Sequence, residues 1–157
     1  GGECGRPAPP MTRRFHCSLM NNKTKKILIV SSEFPPGPGG IGNHAYHLAR
    51  QLTLHGIEVV ILTPQDYSTP NVITNFNQQQ PFSIITLVDK AAKLEKPLHR
   101  LRILLKVVRD FQPDLLIATG ARSTWVTALL TIFHRIPWLA VGHGTEIDYC
   151  KYSIENP

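Results

Sequence analysis

The stretch that most constrains the fold of this chain is residues 26–63. It opens with an apolar run at 27–30, closed by two serines, which indicates a strand buried on both faces. After a loop rich in proline and glycine, apolar residues recur at helical spacing, and Gly56 is suited to end that helix. A second apolar run, Glu58–Thr63, predicts another buried strand. Strand, helix and strand in such close succession predict a βαβ unit with parallel strands and a right-handed crossover.

Three glycines, Gly39, Gly40 and Gly42, lie at the junction between the first strand and the helix. Glycine permits sharp turns and close approach of a ligand, and a helix N-terminus offers unpaired N–H groups with partial positive charge. The loop therefore predicts a site for phosphate groups, the alternative being that the glycines only shape a tight turn. Residues 37–42 also match G-x-G-x-x-G. However, four residues separate that match from the strand, and the second strand ends without a carboxylate before Asp66, so dinucleotide-dependent redox chemistry is the weaker reading.

The rest of the chain continues the alternation of strands and helices. Apolar runs predict strands at 83–88, 115–119 and 137–141, and helical spacing of apolar residues predicts helices at 94–111 and 124–134. The polar segment between the second and third strands predicts a long loop that is either mobile or functional. The whole pattern predicts an α/β fold, a Rossmann-like three-layer domain with a mainly parallel sheet of about five strands.

Side chains with useful chemistry follow the later strands. Gly120 and Arg122 come directly after the fourth predicted strand, and His143 stands between two glycines after the fifth, with Glu146 three residues further along. Ligands of open parallel sheets bind beyond the carboxyl ends of the strands, so these residues are candidates for a ligand cleft. His44, near the start of the first helix, is a further candidate. A surface role for Arg122 is an equal alternative.

Four segments of the chain resemble, in their order and spacing, the N-terminal domain of glycosyltransferase family 4 enzymes, which have the two-domain GT-B architecture. The segments are residues 26–52, 55–64, 112–120 and 136–146. The resemblance implies transfer of a sugar from a nucleotide-sugar donor to a glycan, lipid or small-molecule acceptor, usually with retention of configuration and without a cofactor. It also implies that the glycine loop approaches the donor diphosphate and that His143 lies at the transferring sugar, as a catalytic residue.

The same resemblance implies that a second domain should complete the donor site. Nothing in residues 26–157 matches that domain, so we expect this stretch to be the N-terminal, acceptor-side domain, incomplete at its C-terminus, and inactive alone. Two hypotheses follow. The chain is part of a glycosyltransferase, or it is a non-catalytic α/β subunit that binds a phosphate-bearing ligand or pairs with a separate donor-binding chain.

Charge and composition exclude several other classes of protein. Residues 1–25 lack apolar periodicity and predict a disordered basic tail; we expect the natural chain to begin at Met20. Residues 1–26 hold five of the six net positive charges, so nucleic-acid binding is not predicted.

Three cysteines without metal-type spacing favour a reducing, cytoplasmic compartment. His44 and His47 lack a third ligand nearby, so no metal site is predicted. The basic helix at 94–111 leaves open a peripheral contact with the inner face of a membrane.

Overall fold

The computed structural model describes residues 25–87 and 96–143. Within these residues the chain folds into a five-stranded, fully parallel sheet with the strand order β3-β2-β1-β4-β5. The elements in chain order are β1 Lys26–Ser31, α1 Gly40–Leu54, β2 Glu58–Thr63, α2 Pro70–Gln78, β3 Ser83–Thr86, α3 Lys96–Phe111, β4 Leu115–Thr119, α4 Ala121–Phe133 and β5 Trp138–Val141. The predicted Rossmann-like α/β fold is confirmed.

The two faces of the sheet carry separate apolar cores because alternate side chains of each strand point to opposite faces. On one face, Ile27, Ile29 and Ile61 pack with Ala45 and Ala49 of α1. On the other face, core residues of the strands pack against Leu104 of α3 and Leu130 of α4. The central strands β1, β2 and β4 are buried on both faces, which explains why their sequences are continuous apolar runs rather than alternating ones.

The chain crosses from one face to the other between β3 and β4. Helix α1 contacts β1 and β2 on the first face, whereas α4 contacts β1 and β4 and packs against α3 on the second. Strands β1 and β4 are neighbours in the sheet although the chain leaves them in opposite directions. Such a switch point opens a crevice at the carboxyl ends of the two strands, which is the usual ligand position in this class of fold.

One element differs from the sequence prediction. The segment between β2 and β3 was expected to be a long loop, but it contains α2. Pro70 in the first turn has the backbone angle that a helix start needs, and Phe76 packs against Phe34 and Tyr46 on the first face of the sheet. The prediction was wrong because the three apolar residues of this short helix, Val72, Ile73 and Phe76, stand in a stretch that is otherwise polar, and composition was given more weight than their helical spacing.

Candidate functional site

The glycine loop lies at the start of α1, at the carboxyl edge of the sheet. Gly39 is the N-cap of the helix and has φ 144, a backbone angle that side-chain-bearing residues rarely adopt. Within the described residues no side chain caps this end of the helix, and its first turn holds no acidic residue. The first backbone N–H groups of α1 are therefore directed at the crevice without a side-chain partner, as an anion site at a helix N-terminus requires.

The three glycines differ in what surrounds them. A Cβ atom on Gly40 would meet nothing within 4 Å, so the loop is open to a ligand at this position. A Cβ on Gly42 would stand 3.0 Å from the backbone N and Cα of Phe34, so that glycine allows the loop to pack closely against α1. On Gly39 it would collide with the carboxylate of Glu33. Gly40 is thus the glycine most exposed to a ligand, and Gly42 has a packing role.

Glu33 is a site residue that the sequence analysis did not single out. Its carboxylate lies over Gly39, where the loop would meet a phosphate group. A negative charge near the N-terminus of a helix is electrostatically favourable. An anionic ligand would have to displace this side chain. The sequence places Glu33 two residues past β1, at the carboxyl edge of the sheet, and this position could have marked it as a candidate site residue.

A buried aromatic side chain and a buried amide hold the loop in place. Phe34, 1% exposed, packs edge-on against Tyr46, Phe76 and Phe82, with ring centroids 6.2–6.5 Å apart. Gln65, 3% exposed, donates from Nε2 to the carbonyl oxygen of Pro35 at 2.7 Å. The Gln65 amide also exchanges hydrogen bonds with Asn77 of α2 and accepts one from Thr86 of β3. The loop is therefore fixed to three different elements, which preorganises its backbone.

The structure brings His44 and His143 together. His44 is exposed on the first part of α1, and His143, half-buried, follows β5. Their ring centroids are 5.4 Å apart, and the rings are nearly perpendicular at 77°. The two histidines were proposed separately from sequence, and their contact places both on the same side of the crevice as the glycine loop.

The loop after β4 closes the crevice from the other strand. Gly120 has φ 88, and a Cβ there would collide with the Ser32 hydroxyl. The backbone N–H of Ser32 donates to the carbonyl oxygen of Thr119 at 3.1 Å, and the Thr119 hydroxyl donates to that of Ser31 at 2.9 Å. Gly120 therefore permits close approach of the two strand ends. Arg122 lies in the first turn of α4, one residue inside the helix rather than in the predicted loop.

One candidate site residue falls outside the part of the chain that the structure describes. Glu146 lies outside residues 25–87 and 96–143. Within those ranges, no group of three His, Cys, Asp or Glu side chains could hold a metal ion. None of the helices there is long and apolar enough to cross a membrane.

Comparison with known proteins identifies the family. The family model described as Glycosyltransferase Family 4 matches residues 38–156, which include the glycine loop and both histidines. No curated protein matches the chain significantly. Because the family model covers most of the sequence, the chain belongs to glycosyltransferase family 4.

Several solved structures share this fold. MurG of Acinetobacter baumannii superposes with a TM-score of 0.57 at 18% identity, over 78% of this chain and 38% of its own. A glycosyltransferase from Rickettsia africae ESF-5 gives 0.52 at 12% identity, over 74% and 29%. UDP-GlcNAc 2-epimerase of Neisseria meningitidis, bound to UDP-GlcNAc, gives 0.51 at 18% identity, over 74% and 32%. This chain thus spans about a third of each of these structures, and its predicted likeness to the N-terminal domain of a GT-B glycosyltransferase is confirmed.

Proposed function

We propose that the chain forms the acceptor-side domain of a glycosyltransferase that uses a nucleotide-sugar donor and retains the configuration of the transferred sugar. The observation that carries the proposal is the convergence of the open glycine loop, His44 and His143 at the switch point of the sheet. One of the structurally similar proteins is bound to UDP-GlcNAc, which makes a uridine diphosphate donor the first to test.

In the proposed reaction the glycine loop stabilises the leaving diphosphate. When the bond between the sugar and the diphosphate breaks, negative charge develops on the diphosphate oxygens. The first N–H groups of α1 are held in place before the reaction and can donate to those oxygens, which lowers the barrier without reorganisation. Glu33 turns away from Gly39 when the diphosphate enters, because two negative groups so close together repel each other.

His143 has the role of a hydrogen-bond partner of the transferring sugar. Its contact with His44 fixes the orientation of the ring at the crevice. Gly120 and Arg122, on the β4 side of the crevice, line the path by which the acceptor approaches, and a second domain supplied by the rest of a longer chain or by a partner chain would complete the grip on the nucleotide.

Calorimetric titration with UDP, UDP-glucose and GDP-mannose tests the proposal. Gly40→Trp should abolish binding of all ligands that bind the wild-type protein, because the indole would fill the open space above the loop. His143→Ala should weaken a nucleotide-sugar but not UDP, since it contacts only the sugar. His55→Ala, an exposed histidine at the other end of α1, is the control. Binding that Gly40→Trp leaves unchanged would refute the proposed phosphate site.

A pairing module is the second candidate function. Several large apolar side chains of α4 and β5 are exposed, namely Trp125, Leu129, Ile132 and Leu139. Exposed apolar patches of this kind mark surfaces that another domain or chain covers. Analytical ultracentrifugation of the purified chain, with Trp125→Gln beside it, distinguishes the pairing module from the enzyme domain. A wild-type chain that is monomeric and binds the donor measurably favours the enzyme domain.

We also propose a peripheral contact with the cytoplasmic face of a membrane. Residues 96–143 hold seven basic residues (Lys and Arg) and two acidic ones (Asp), whereas residues 25–87 hold three basic and three acidic residues. Exposed Arg102, Lys106 and Arg109 lie on α3. Sedimentation with anionic vesicles should show salt-sensitive binding that Lys106→Glu weakens and Arg50→Glu, on α1, does not. Equal sedimentation with zwitterionic vesicles would contradict this contact.

A further inference from the structure

A second cleft opens at the carboxyl edge on the α3–α4 side of the sheet. It lies between the ends of β1 and β2 and the N-terminal parts of α3 and α4. Its lining residues, taken from the described ranges, are Val30, Ser31, Ser32, Leu62, Pro64, Leu87, Arg100, Leu104, Arg122, Ser123 and Val126. None of these belongs to the glycine loop, which follows β1 on the side of α1.

The cleft has an apolar floor and a polar mouth. Leu62 and Leu104 in the floor are fully buried. The centre of a water-sized sphere has about 20 Å³ of room in this cleft, enough for roughly one water molecule, and the empty space counted together with adjoining open solvent is about 320 Å³. A phosphate group is larger than one water molecule, so it would have to bind at the solvent-open side of the cleft, beside exposed Arg122 and half-buried Arg100, and not in the floor.

Two arginines from different helices line this cleft. Arg100 of α3 is half-buried and Arg122 of α4 is exposed, and none of the described lining residues is acidic. A guanidinium has five N–H donors, so one that already has a protein partner keeps donors for a ligand. The apolar floor lowers the local dielectric and strengthens the attraction between these cations and an anion. A planar fork of donors suits the oxygens of a phosphate group.

We propose that the mouth of this cleft binds a phosphate group of the acceptor. The inference rests on the proposed function, in which the donor diphosphate occupies the glycine loop. The end of β1 separates the two sites, since Ser31 and Ser32 line the cleft and the glycine loop begins a few residues later. An acceptor held by its phosphate at Arg122 would thus present its remaining atoms towards the crevice where the sugar is transferred.

The surface beside Arg122 would contact a phosphate attached to an alkyl chain differently from a soluble phosphate ester. Trp125, Leu129 and Ile132 are all exposed and follow Arg122 at spacings of three, seven and ten residues, which places them along one side of α4. A phosphate attached to an alkyl chain would lay the chain along this stripe. A soluble phosphate ester would use the arginines alone.

The experiment is a ¹⁵N NMR titration of the purified chain with glycerol 3-phosphate, dihexanoyl phosphatidate and, as the phosphate-free control, glycerol. Both phosphates should shift the amides of Ser32, Arg122 and Ser123. Arg122→Gln should raise their dissociation constants about tenfold, and Arg50→Gln, which changes an exposed arginine of α1 outside the cleft, should leave them unchanged. If the phosphatidate binds more tightly than glycerol 3-phosphate, and Trp125→Gln removes the difference, the phosphate comes from a lipid. If the two ligands bind equally, the phosphate comes from a soluble ester.

Titration of the same samples with UDP separates this inference from the proposed function. Phosphate shifts confined to the glycine loop, or unaffected by Arg122→Gln, would overturn the acceptor subsite while the donor proposal stands. Phosphate shifts at Arg122 without any UDP shift at the glycine loop would support an anion site here and refute the donor site. Absence of binding by both ligands at tens of millimolar would overturn both.

Discussion

Replacing Gly42 with alanine tests whether this glycine is needed for packing. The added Cβ would stand 3.0 Å from the backbone N and Cα of Phe34 and 3.1 Å from the carbonyl carbon of Glu33. These are backbone atoms of a loop that the buried Phe34 ring and Gln65 amide hold, so they cannot turn aside as a flexible side chain would. Overpacking of this kind costs about 1–3 kcal/mol, and the better helix propensity of alanine returns about 0.5–1 kcal/mol.

With the middle of both ranges, the net expectation is a loss of about 1 kcal/mol, or a fall in Tm of roughly 2–5 °C for a domain of this size. Gly40→Ala is the matched control, because it makes the same chemical change two residues earlier, where nothing lies within 4 Å of the new atom. It should leave Tm unchanged or raise it slightly. Thermal unfolding followed by circular dichroism, with urea unfolding beside it, measures both variants. A Tm of Gly42→Ala equal to or above that of Gly40→Ala would refute the packing argument.

Three further predictions concern the loop and the core. Gln65→Leu removes the amide that bonds three elements and should cost about 2–3 kcal/mol in urea unfolding, whereas exposed Gln78→Leu should cost almost nothing. Leu104→Ala empties a fully buried position and should cost about 2–5 kcal/mol, against less than about 0.5 kcal/mol for exposed Leu54→Ala; equal losses would contradict the assigned core. Glu33→Gln should tighten UDP binding a few-fold in calorimetry by removing like-charge repulsion, and weaker binding would show that the carboxylate helps to hold the ligand.

The strands were the most predictable part of the fold. The bounds of β2 and β4 agree with the predicted runs because strands buried on both faces must be continuously apolar. Helix α4 begins three residues earlier than predicted, since Gly120 already supplies the turn and the apolar spacing becomes visible only after it. In α3, Leu98 is one of the apolar residues at helical spacing and yet it is exposed, whereas Leu104 is fully buried. Periodicity locates a helix better than it locates the residues that the sheet covers.

The positions of the candidate site residues in the fold were predictable, but their contacts were not. Parallel strands bring their carboxyl ends to one edge, so the grouping of the glycine loop, Gly120 and His143 followed from the order of the elements. The contact between His44 and His143 depends on how β5 registers with β4 and how far α1 extends past the edge, which local sequence does not encode. The amide of Gln65 was missed for the same reason, because its partners lie 12 to 30 residues away along the chain.

The measurement that tests the central claim most directly is a ¹⁵N NMR titration of the purified chain with UDP. The claim is that the start of α1 binds the diphosphate of the donor. It predicts that UDP shifts the amides of Gly39, Gly40 and Ile41, while Lys26 at the opposite edge of the sheet stays unchanged, and that Gly40→Trp removes those shifts. Shifts that spare the glycine loop, or that persist in Gly40→Trp, would contradict it.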